Sequence, residues 1–353
     1  MIVNTAKIKG IQQMKSRSEV PHDIVKDKLQ YHDLFVHSTN KDDALEKLAF
    51  FANSIISNFD FSKRNLTYVQ FDNCQLVNCV FGDATLEKSL FIGCEIVSCD
   101  FSDGIYKYVT MTDTSLKNCN ISGFSQSTFS NCNIQKCLTS SSKTSEDENH
   151  YRNLNFSRSQ IVDCTFDQFQ AQECNFNRCT FTNTKFKNSN FARSTFQKAV
   201  FVKSTFDFVD LSRSDLSEVV FDTTSLDKAI FVDSTGNGYE IRSFYAGTST
   251  QMSKFVYTKN KVYFSELTGT YMNMTDFLNL ANDVDNIANK FYEQALQSVE
   301  TFEGYDFADS DQGIDKESII KELKSFFIKF VKSKAYINAV KFIQENPVVK
   351  RPA

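Results

Sequence analysis

The chain has 353 residues, a formal net charge of −4, and 35 Phe beside no Trp, 3 Pro and 11 Gly. The length permits one large domain or two to three smaller ones, and the near-neutral, evenly spread charge excludes a nucleic-acid-binding tail. No apolar run reaches the roughly 18 residues of a membrane span, and the N-terminus MIVNTAKIKGIQQMKSRSEV lacks the apolar centre of a secretory signal, which predicts a soluble cytoplasmic protein without membrane contact.

The first segment, 1–58, contains one predicted helix, KDDALEKLAFFANSIISN at 41–58. Leu45, Leu48, Phe51 and Ile55 fall on one helical stripe, Asn40 is a suitable N-cap, and acidic residues occupy the first turn. A helix at this place would cover the start of the segment that follows.

The second segment, 59–235, repeats with a period of five residues. Every fifth residue from Phe156 to Phe231 is apolar, sixteen in succession, and the same step gives thirteen more from Phe61 to Ile121. A short run beginning at Phe129 follows after an offset of eight residues, so the register slips once, near Gly123. A period of five fits neither the 3.6 of a helix nor the 2.0 of a strand, so the chain must turn at every fifth residue.

A second inward position lies two residues before each apolar centre, where Cys, Ser, Thr and Ala recur. One bulky and one small side chain per repeat would fill a narrow tube without voids. Units such as Cys-Asn-Phe-Asn-Arg at 174–178 and Ser-Asp-Leu-Ser-Glu at 214–218 resemble the pentapeptide-repeat family. This chain departs from the family's common Ala-Asp-Leu form by preferring Phe at the centre and Cys or Ser at the small site.

The resemblance implies a mainly β fold, a right-handed quadrilateral β-helix with four repeats per coil and about eight coils. Such a solenoid needs covered ends, because unpaired strand edges invite aggregation; the helix at 41–58 is expected to cover the first coil. Two residues, Phe169 and Arg64, occupy small sites against the rule, and local distortion of the tube is expected there.

All ten cysteines fall on the small inward site, which predicts buried, reduced thiols that serve packing. Three of the four histidines, His22, His32 and His37, lie close together in the first segment, but nothing in their spacing fixes them on one face as metal ligands require. The sequence contains no nucleotide-binding or catalytic motif of the common kinds. We therefore expect no cofactor, no metal and no enzymatic activity.

Two features of the repeat segment are candidates for partner binding. The polar interruption at 140–153 must project as a loop, and scaffold loops are common binding sites; its candidate residues are Lys143, Glu146, Asp147, Glu148 and His150. The coil period of 20 residues also stacks basic residues into a ridge, made of the column Arg158, Arg178 and Lys198 and the adjacent column Arg193 and Arg213. A merely solvated loop and a merely solvated face remain the alternatives.

The third segment, 236–353, predicts a β-hairpin at 254–264, with its turn at Thr258 to Lys261, and two helices, at about 275–302 with Thr275 as cap and about 315–345, ending before Pro347. The last helix has three interpretations: packing against the preceding helix or the repeat segment, self-association as a homodimer, or contact with a membrane surface. The candidate residues for self-association are Ile320, Leu323, Phe327 and Phe330.

Three functions are compatible with these features. The first is a non-catalytic protein-interaction scaffold or adaptor, as a component of a bacterial assembly or as a delivered effector, whose partner is another protein. The second follows from the resemblance: some members of that family mimic duplex DNA and protect type II topoisomerases such as gyrase, although the mixed charge of the repeat opposes it. The third is an enzyme with its site in residues 236–353.

Overall fold

The computed structural model describes residues 16–40, 45–139, 153–224, 226, 228–237, 241–248, 251–264, 271–279, 329, 332 and 334–347. Its fold is mainly β, a parallel β-solenoid built from the five-residue repeat. The chain divides into two compact units, residues 1–165 and 166–353, and each contains coils of the repeat.

The first unit contains one α-helix, α1 (His22–His37), a short 3-10 helix at Leu45–Lys47 and short parallel strands. The strands are β1 (Ser18–Glu19), β2 (Phe50–Ala52), β3 (Ser54–Ser57), β4 (Gln70–Asp72), β5 (Gln75–Val77), β6 (Leu90–Ile92), β7 (Glu95–Val97), β8 (Tyr106–Lys107), β9 (Thr110–Thr112), β10 (Ser115–Lys117), β11 (Phe124–Ser125), β12 (Thr128–Ser130), β13 (Asn133–Gln135), β14 (Leu138–Thr139) and β15 (Gln160–Val162). Strands β2, β4, β6, β9 and β12 form one parallel sheet, and β1, β3, β5, β7, β10, β13 and β15 lie side by side in another.

The second unit continues the same pattern and then changes to an antiparallel sheet with helices. Its elements are β16 (Thr165–Asp167), β17 (Thr180–Thr182), β18 (Lys185–Lys187), β19 (Val200–Val202), β20 (Thr205–Asp207), β21 (Val209–Asp210), β22 (Asp215–Leu216), β23 (Val220–Asp222), β24 (Ala229–Ile230), β25 (Thr235–Gly236), β26 (Ile241–Thr248), β27 (Gln251–Thr258), β28 (Lys261–Phe264), β29 (Tyr271–Asn273), α2 (Met274–Asn279) and α3 (Lys334–Glu345). Strands β16, β18 and β20 form one parallel sheet of this unit, β17, β19 and β23 are neighbours in another, and β26 to β29 form the antiparallel sheet.

The apolar centres of the repeat form the core, as the sequence predicts. Equivalent residues pair in register from coil to coil, for example Phe181 with Phe201 and Phe201 with Phe221 in the second unit. The rings of these three residues stack at centroid separations of 4.6 and 5.1 Å, nearly parallel. The four central residues at positions 176, 181, 186 and 191, which test the predicted tube most directly, are all buried. Stacked rings therefore fill the coils of each unit.

The register slip near Gly123 is confirmed and has a simple structural form. Phe124 pairs with Tyr106 of the preceding coil, so this side of the coil begins only three residues after Ile121 instead of five. Gly123 adopts a left-handed backbone with φ 84°, and a Cβ there would lie 3.2 Å from the carbonyl oxygen of Gly104. Because that backbone and that approach favour glycine, the shortened side depends on it.

Deviations from the large–small rule compensate each other locally. Phe169 is buried at a small site, and the centre that follows it is Ala171, so the two sizes are exchanged within one repeat. Tyr106 fills both positions of its repeat, because its ring occupies the space where a Cβ of Gly104 would lie, and its hydroxyl donates to the carbonyl of Phe81 at 2.7 Å. Arg64, in contrast, stays partly exposed. The large Phe169 at the small site is therefore accommodated by the small Ala171 at the centre, and not by the local distortion of the tube that the sequence predicted.

The residue just before a centre distinguishes the sides of a coil that form strands from the sides that form turns. On many turn sides this residue is Asp or Asn, and its side-chain oxygen accepts from the backbone N–H two residues later. Examples are Asp60 with Ser62 at 2.8 Å and Asp210 with Ser212 at 2.8 Å. Such an Asx bond supplies the local turn that these sides need.

The predicted helix at 41–58 is wrong in its described part, since residues 45–47 form a 3-10 turn and β2 and β3 follow. The physical reason is that the five-residue step extends backward: Phe51 and Ile56 are buried centres, preceded by Ala49 and Ser54 at the small sites. The repeat begins two five-residue units, or half a coil, earlier than predicted, and the solenoid makes about 9 turns rather than eight.

The N-terminal helix is α1, and its side chains satisfy backbone groups of the first coil. His22 Nε2 donates to the carbonyl of Ser57 at 2.8 Å, Lys28 Nζ donates to the carbonyl of Phe50 at 2.8 Å, and Ala49 N–H donates to His32 Nδ1 at 3.3 Å. Strand β1 pairs with β3 at the edge of its sheet. The first coil is thus covered by a helix, although not by the predicted one.

The antiparallel sheet of the second unit contacts the last coil. Tyr263 Oη donates to the carbonyl of Ala229 at 2.8 Å, and Lys254 Nζ donates to the carbonyl of Asp233 at 2.7 Å. The predicted hairpin at 254–264 is confirmed, because β27 and β28 pair across the expected turn. Of the two predicted helices, only Met274–Asn279 and Lys334–Glu345 lie within the described residues, apart from isolated positions.

Helix α3 packs mainly against β26 of the antiparallel sheet, a neighbour that the sequence did not indicate. Its Tyr336 ring also contacts Phe277 of α2, at 5.1 Å, so only a smaller part of its packing is with the region of the preceding predicted helix. The rings of Phe342 and Phe244 stack at 4.2 Å, and Tyr257 Oη donates to the carbonyl of Asn346 at 2.8 Å. Ile320, Leu323, Phe327 and Phe330, the residues predicted to mediate self-association, lie outside the described residues. No helix in the described part of the chain has the length and apolar character that crossing a membrane requires.

Candidate functional site

The predicted basic ridge occupies one recurring position of the repeat, two residues after a centre. Nearly every coil corner places this residue in the left-handed region, and the five ridge residues Arg158, Arg178, Arg193, Lys198 and Arg213 have φ between 58° and 62°. Side chains at this position point outward from a fixed backbone corner and recur once per coil. Among 32 such non-glycine corners, Asn and Asp are frequent, as their tolerance of this conformation predicts.

Ion pairs between successive coils neutralise much of the ridge in the second unit. Arg193 approaches Glu173 at 3.4 Å, Lys198 approaches Glu218 at 3.5 Å, and Arg213 approaches Asp233 at 4.0 Å. In each case the acid lies 20 residues away, one coil before or after the base. Exposed pairs of this kind add little stability, but they place acids next to bases in the columns of the ridge.

Two members of the ridge differ from the other three. Within the described ranges, no carboxylate lies at ion-pair distance from Arg158 in the first unit or from Arg178 in the second. The loop candidates Lys143, Glu146, Asp147, Glu148 and His150 lie outside the described residues. The ridge therefore remains a candidate surface, with a weaker net charge than the sequence alone suggested.

The small inward sites carry a hydrogen-bond network that the sequence analysis missed. Ser194 Oγ donates to the carbonyl of Ala171 at 2.9 Å and accepts from the N–H of Cys174 at 3.0 Å. Cys99 makes the equivalent contacts in the first unit, to the carbonyl of Leu76 at 3.5 Å and from the N–H of Cys79 at 3.4 Å. The small inward site therefore favours a small side chain with one polar hydrogen over alanine. In the sequence, this network could have been found by comparing small sites that lie 20 residues, or one coil, apart.

The ten cysteines are free thiols, and all are buried. Burial raises the pKa of Cys132 to about 12. The pKa of Cys99 is raised as well, first because its sulfur interacts with Cys79 and then because it is buried. Since the thiolate is the reactive and metal-binding form, Cys99 and Cys132 are held in the unreactive state.

The histidines of α1 act as structural groups. His22 and His32 bond to backbone groups of the first coil, as described above, and the ring Nδ1 of His37 lies 2.7 Å from the carbonyl of Asp33 in the same helix. Among the described residues, no group of three or more His, Cys, Asp or Glu side chains is arranged to hold a metal ion.

One comparison with known proteins, that with family models, agrees with the five-residue repeat. The family model described as "Pentapeptide repeats" matches residues 174–207 in eight copies. No curated protein matches the chain. Among solved structures, the chain is similar to QnrB1, a plasmid-mediated fluoroquinolone resistance protein, with 15% identity over 53% of this chain and 92% of that one, at a TM-score of 0.42.

Two cyanobacterial structures are similar to a smaller degree. HetL from Nostoc, which is involved in regulating heterocyst differentiation, is 10% identical over 53% of this chain and 84% of its own, with a TM-score of 0.25. Rfr23 from Cyanothece is 9% identical over 40% of this chain and 91% of its own, with a TM-score of 0.20. At such identities and scores, these likenesses say nothing about partners or activity.

Proposed function

This chain is a pentapeptide-repeat protein, and on that premise we propose that it is a non-catalytic protein-interaction scaffold or adaptor. Its partner is another protein, in a bacterial assembly or in a cell into which the chain is delivered. A cytoplasmic location suits the free thiols, which a reducing compartment preserves.

The observation that carries the proposal is the regular outward display of side chains on a fixed backbone. Each coil corner in the described repeat holds one outward residue at nearly the same φ, and the next coil places an equivalent residue in register with it. The core and the small-site hydrogen bonds keep the corners in place. Rigid surfaces of this kind bind partners with little loss of conformational entropy.

The groups that commonly carry chemistry have structural tasks in the described part of the chain. The thiols pack inward, Asp60 and Asp210 hold turns, and Arg193 is paired with an acid. A pentapeptide-repeat protein that uses its polar side chains in this way is suited to recognition rather than to turnover.

Mimicry of duplex DNA is supported less well than scaffolding. A mimic needs rows of acidic side chains in place of phosphates, and the described corners of the second unit mix acids, bases and neutral residues. A gyrase supercoiling assay with the purified chain separates the two functions. Protection of gyrase from an inhibitor at stoichiometric amounts would favour mimicry over our proposal.

The scaffold function is tested by affinity capture from the native host with mass spectrometry. The full chain is compared with a variant that lacks 140–153 and with one truncated at 313. Each captured protein is then purified and titrated against the full chain. We expect saturable binding of at least one protein at a fixed stoichiometry and no chemical change in that protein; turnover of a captured protein or metabolite would refute the proposal.

A further inference from the structure

Phe208 is placed where the fold leaves most of its side chain exposed. It occupies a coil corner with φ 55°, and it is the only residue with positive φ in the described chain that is neither glycine nor polar-tipped. Its side chain is 66% exposed, the highest value among the large apolar residues that the structure describes. The left-handed backbone disfavours a bulky residue, and the exposed ring gains nothing from burial. Costs of this kind concentrate at functional positions.

Charged side chains surround the Phe208 ring, and one of them contacts it. Lys228 Nζ lies 4.9 Å from the ring centroid and forms an ion pair with Asp207 at 2.7 Å. Strand β18 of the preceding coil places Lys185 and Lys187 outward and exposed, and no described carboxylate lies within ion-pair distance of either. We call Lys185, Lys187, Asp207, Phe208 and Lys228 the Phe208 patch; its three lysines and one aspartate give a net charge of +2.

The patch has the composition of a binding hot spot. An exposed aromatic anchor bordered by charges that steer the partner is the common arrangement in protein interfaces. A further acid, Asp167, accepts a hydrogen bond from Asn188, the corner residue one coil before Phe208. The phosphate backbone of a duplex offers no apolar side chain to cover the Phe208 ring, which favours a peptide over duplex nucleic acid.

We propose that the Phe208 patch is a docking surface for an extended acidic segment of a partner protein that carries an apolar side chain. The apolar side chain covers the Phe208 ring, and the flanking acids pair with Lys185 and Lys187. This inference rests on the scaffold function proposed above and specifies its contact surface and the chemistry of its partner.

The test separates folding from binding with the variant Phe208→Asn. Asparagine is the residue at the equivalent corner 188 and tolerates the left-handed backbone, so the thermal midpoint is expected to stay equal or to rise. The matched control is Tyr108→Asn, which removes another aromatic corner residue, 48% exposed at φ 59° in the first unit. A thermal midpoint lowered by Phe208→Asn alone would show that the ring serves packing, and the proposal would fail.

Binding is probed with a displayed random-peptide library selected on the immobilised full chain. We expect the enriched peptides to share acidic residues around an apolar one. Resynthesised, they should bind the parent chain and Tyr108→Asn equally, and Phe208→Asn about tenfold more weakly, a difference of about 1.4 kcal/mol. The double variant Lys185→Glu/Lys187→Glu should weaken binding most at low salt.

Three results would overturn the proposal. They are the absence of any enriched peptide, equal binding to the parent and Phe208→Asn, and preference of the patch for a duplex DNA probe over the acidic peptides. The scaffold function is tested separately from the patch. If a partner identified by capture binds Phe208→Asn as tightly as the parent chain, the scaffold function stands and only the Phe208 patch is ruled out as its contact surface.

Discussion

The two units solve the same packing problem with different side chains at the small inward site. In the first unit this site is most often cysteine, which contributes eight of the ten thiols, at 74, 79, 94, 99, 119, 132, 137 and 164. In the second unit it is most often serine, at 189, 194, 204, 214 and 234. Both residue types bond to the carbonyl of a centre one coil before. The position therefore selects a small side chain with a polar hydrogen, and sulfur or oxygen can supply it.

The units also differ in how their coils are covered. In the first, α1 reaches backbone groups of the opening coil with single side chains, among them His22 and Lys28. In the second, the sheet β26 to β29 meets the last coil through Tyr263 and Lys254. Neither the helix nor the sheet follows the five-residue rule, because each only has to bond the exposed backbone groups of one end coil. In the repeat, the residue type is constrained at every fifth position. In the helix and the sheet that cover the end coils, it is constrained only at the few residues that contact the coil.

The largest expected effect tests whether the core is equivalent in the two units. Phe81 stacks between Phe61 and Phe101 at 4.7 Å on each side, and Phe201 stacks between Phe181 and Phe221. Truncating either ring to alanine removes two stacking contacts and leaves a cavity. Phe81→Ala and Phe201→Ala should each cost about 3–5 kcal/mol of unfolding free energy.

Urea unfolding followed by circular dichroism measures both losses, and a fluorescent probe placed in each unit shows whether the units unfold together. Equal losses would support one packing rule in both units. A loss below about 1 kcal/mol in one variant would contradict it, because a buried ring that can be removed so cheaply is not part of a filled core.

A smaller effect is expected where the first unit departs from the large–small rule. Gly104→Ala would place a Cβ against the buried ring of Tyr106, and the surrounding coils leave the ring little room to move. We expect a loss of about 3 kcal/mol from this overpacking. Gly82→Ala is the matched control, since its Cβ would lie 3.6 Å from the nearest atom, the carbonyl oxygen of Ser102.

Thermal unfolding of the two glycine variants gives the comparison. The double variant Gly104→Ala/Tyr106→Leu should recover part of the loss, because the shorter side chain leaves the small site to alanine. Similar midpoints for Gly104→Ala and Gly82→Ala would mean that Tyr106 adapts freely and that exchange of volume within a repeat is not required.

The repeat was predictable from the sequence because its rule is local and strict. An apolar side chain at every fifth residue predicted the burial of Phe176 and Phe181, and one offset near Gly123 located the slip. The same logic failed at 41–58, where Leu45, Leu48 and Phe51 also fit a helical stripe. Two periods competed there, and the step from Phe51 to Ile56 prevailed because it extends a stack that already exists.

The candidate surface was predictable in position but not in charge. The corner residues follow from the period of five, yet the ion pair of Arg193 with Glu173 requires comparing residues one coil apart. Phe208 went unnoticed in the sequence because phenylalanine is common in this chain. It is unusual only because it lies at a coil corner, with positive φ. Pairing between residues one coil apart is not visible in a sequence window of a few residues. The charge of the surface could therefore be determined only from the structure.

The smallest expected effect sharpens the comparison between thiol and hydroxyl. Ser194→Ala removes both the acceptor for the N–H of Cys174 and the donor to the carbonyl of Ala171, so we expect a loss of about 1–2 kcal/mol. Cys99→Ala removes weaker bonds of the same kind and should cost less. Ser194→Cys and Cys99→Ser keep a polar hydrogen at the site and serve as controls.

Urea unfolding of the four variants under reducing conditions orders these effects. Both exchanges should stay within about 1 kcal/mol of the parent chain, because each retains a small donor beside the same backbone groups. If Ser194→Ala unfolds like the parent, the hydrogen bond does not select the residue, and small volume alone explains both serine and cysteine. If only Cys99→Ser is destabilising, the first unit depends on the apolar sulfur, and the two units fill their coils by different physical means.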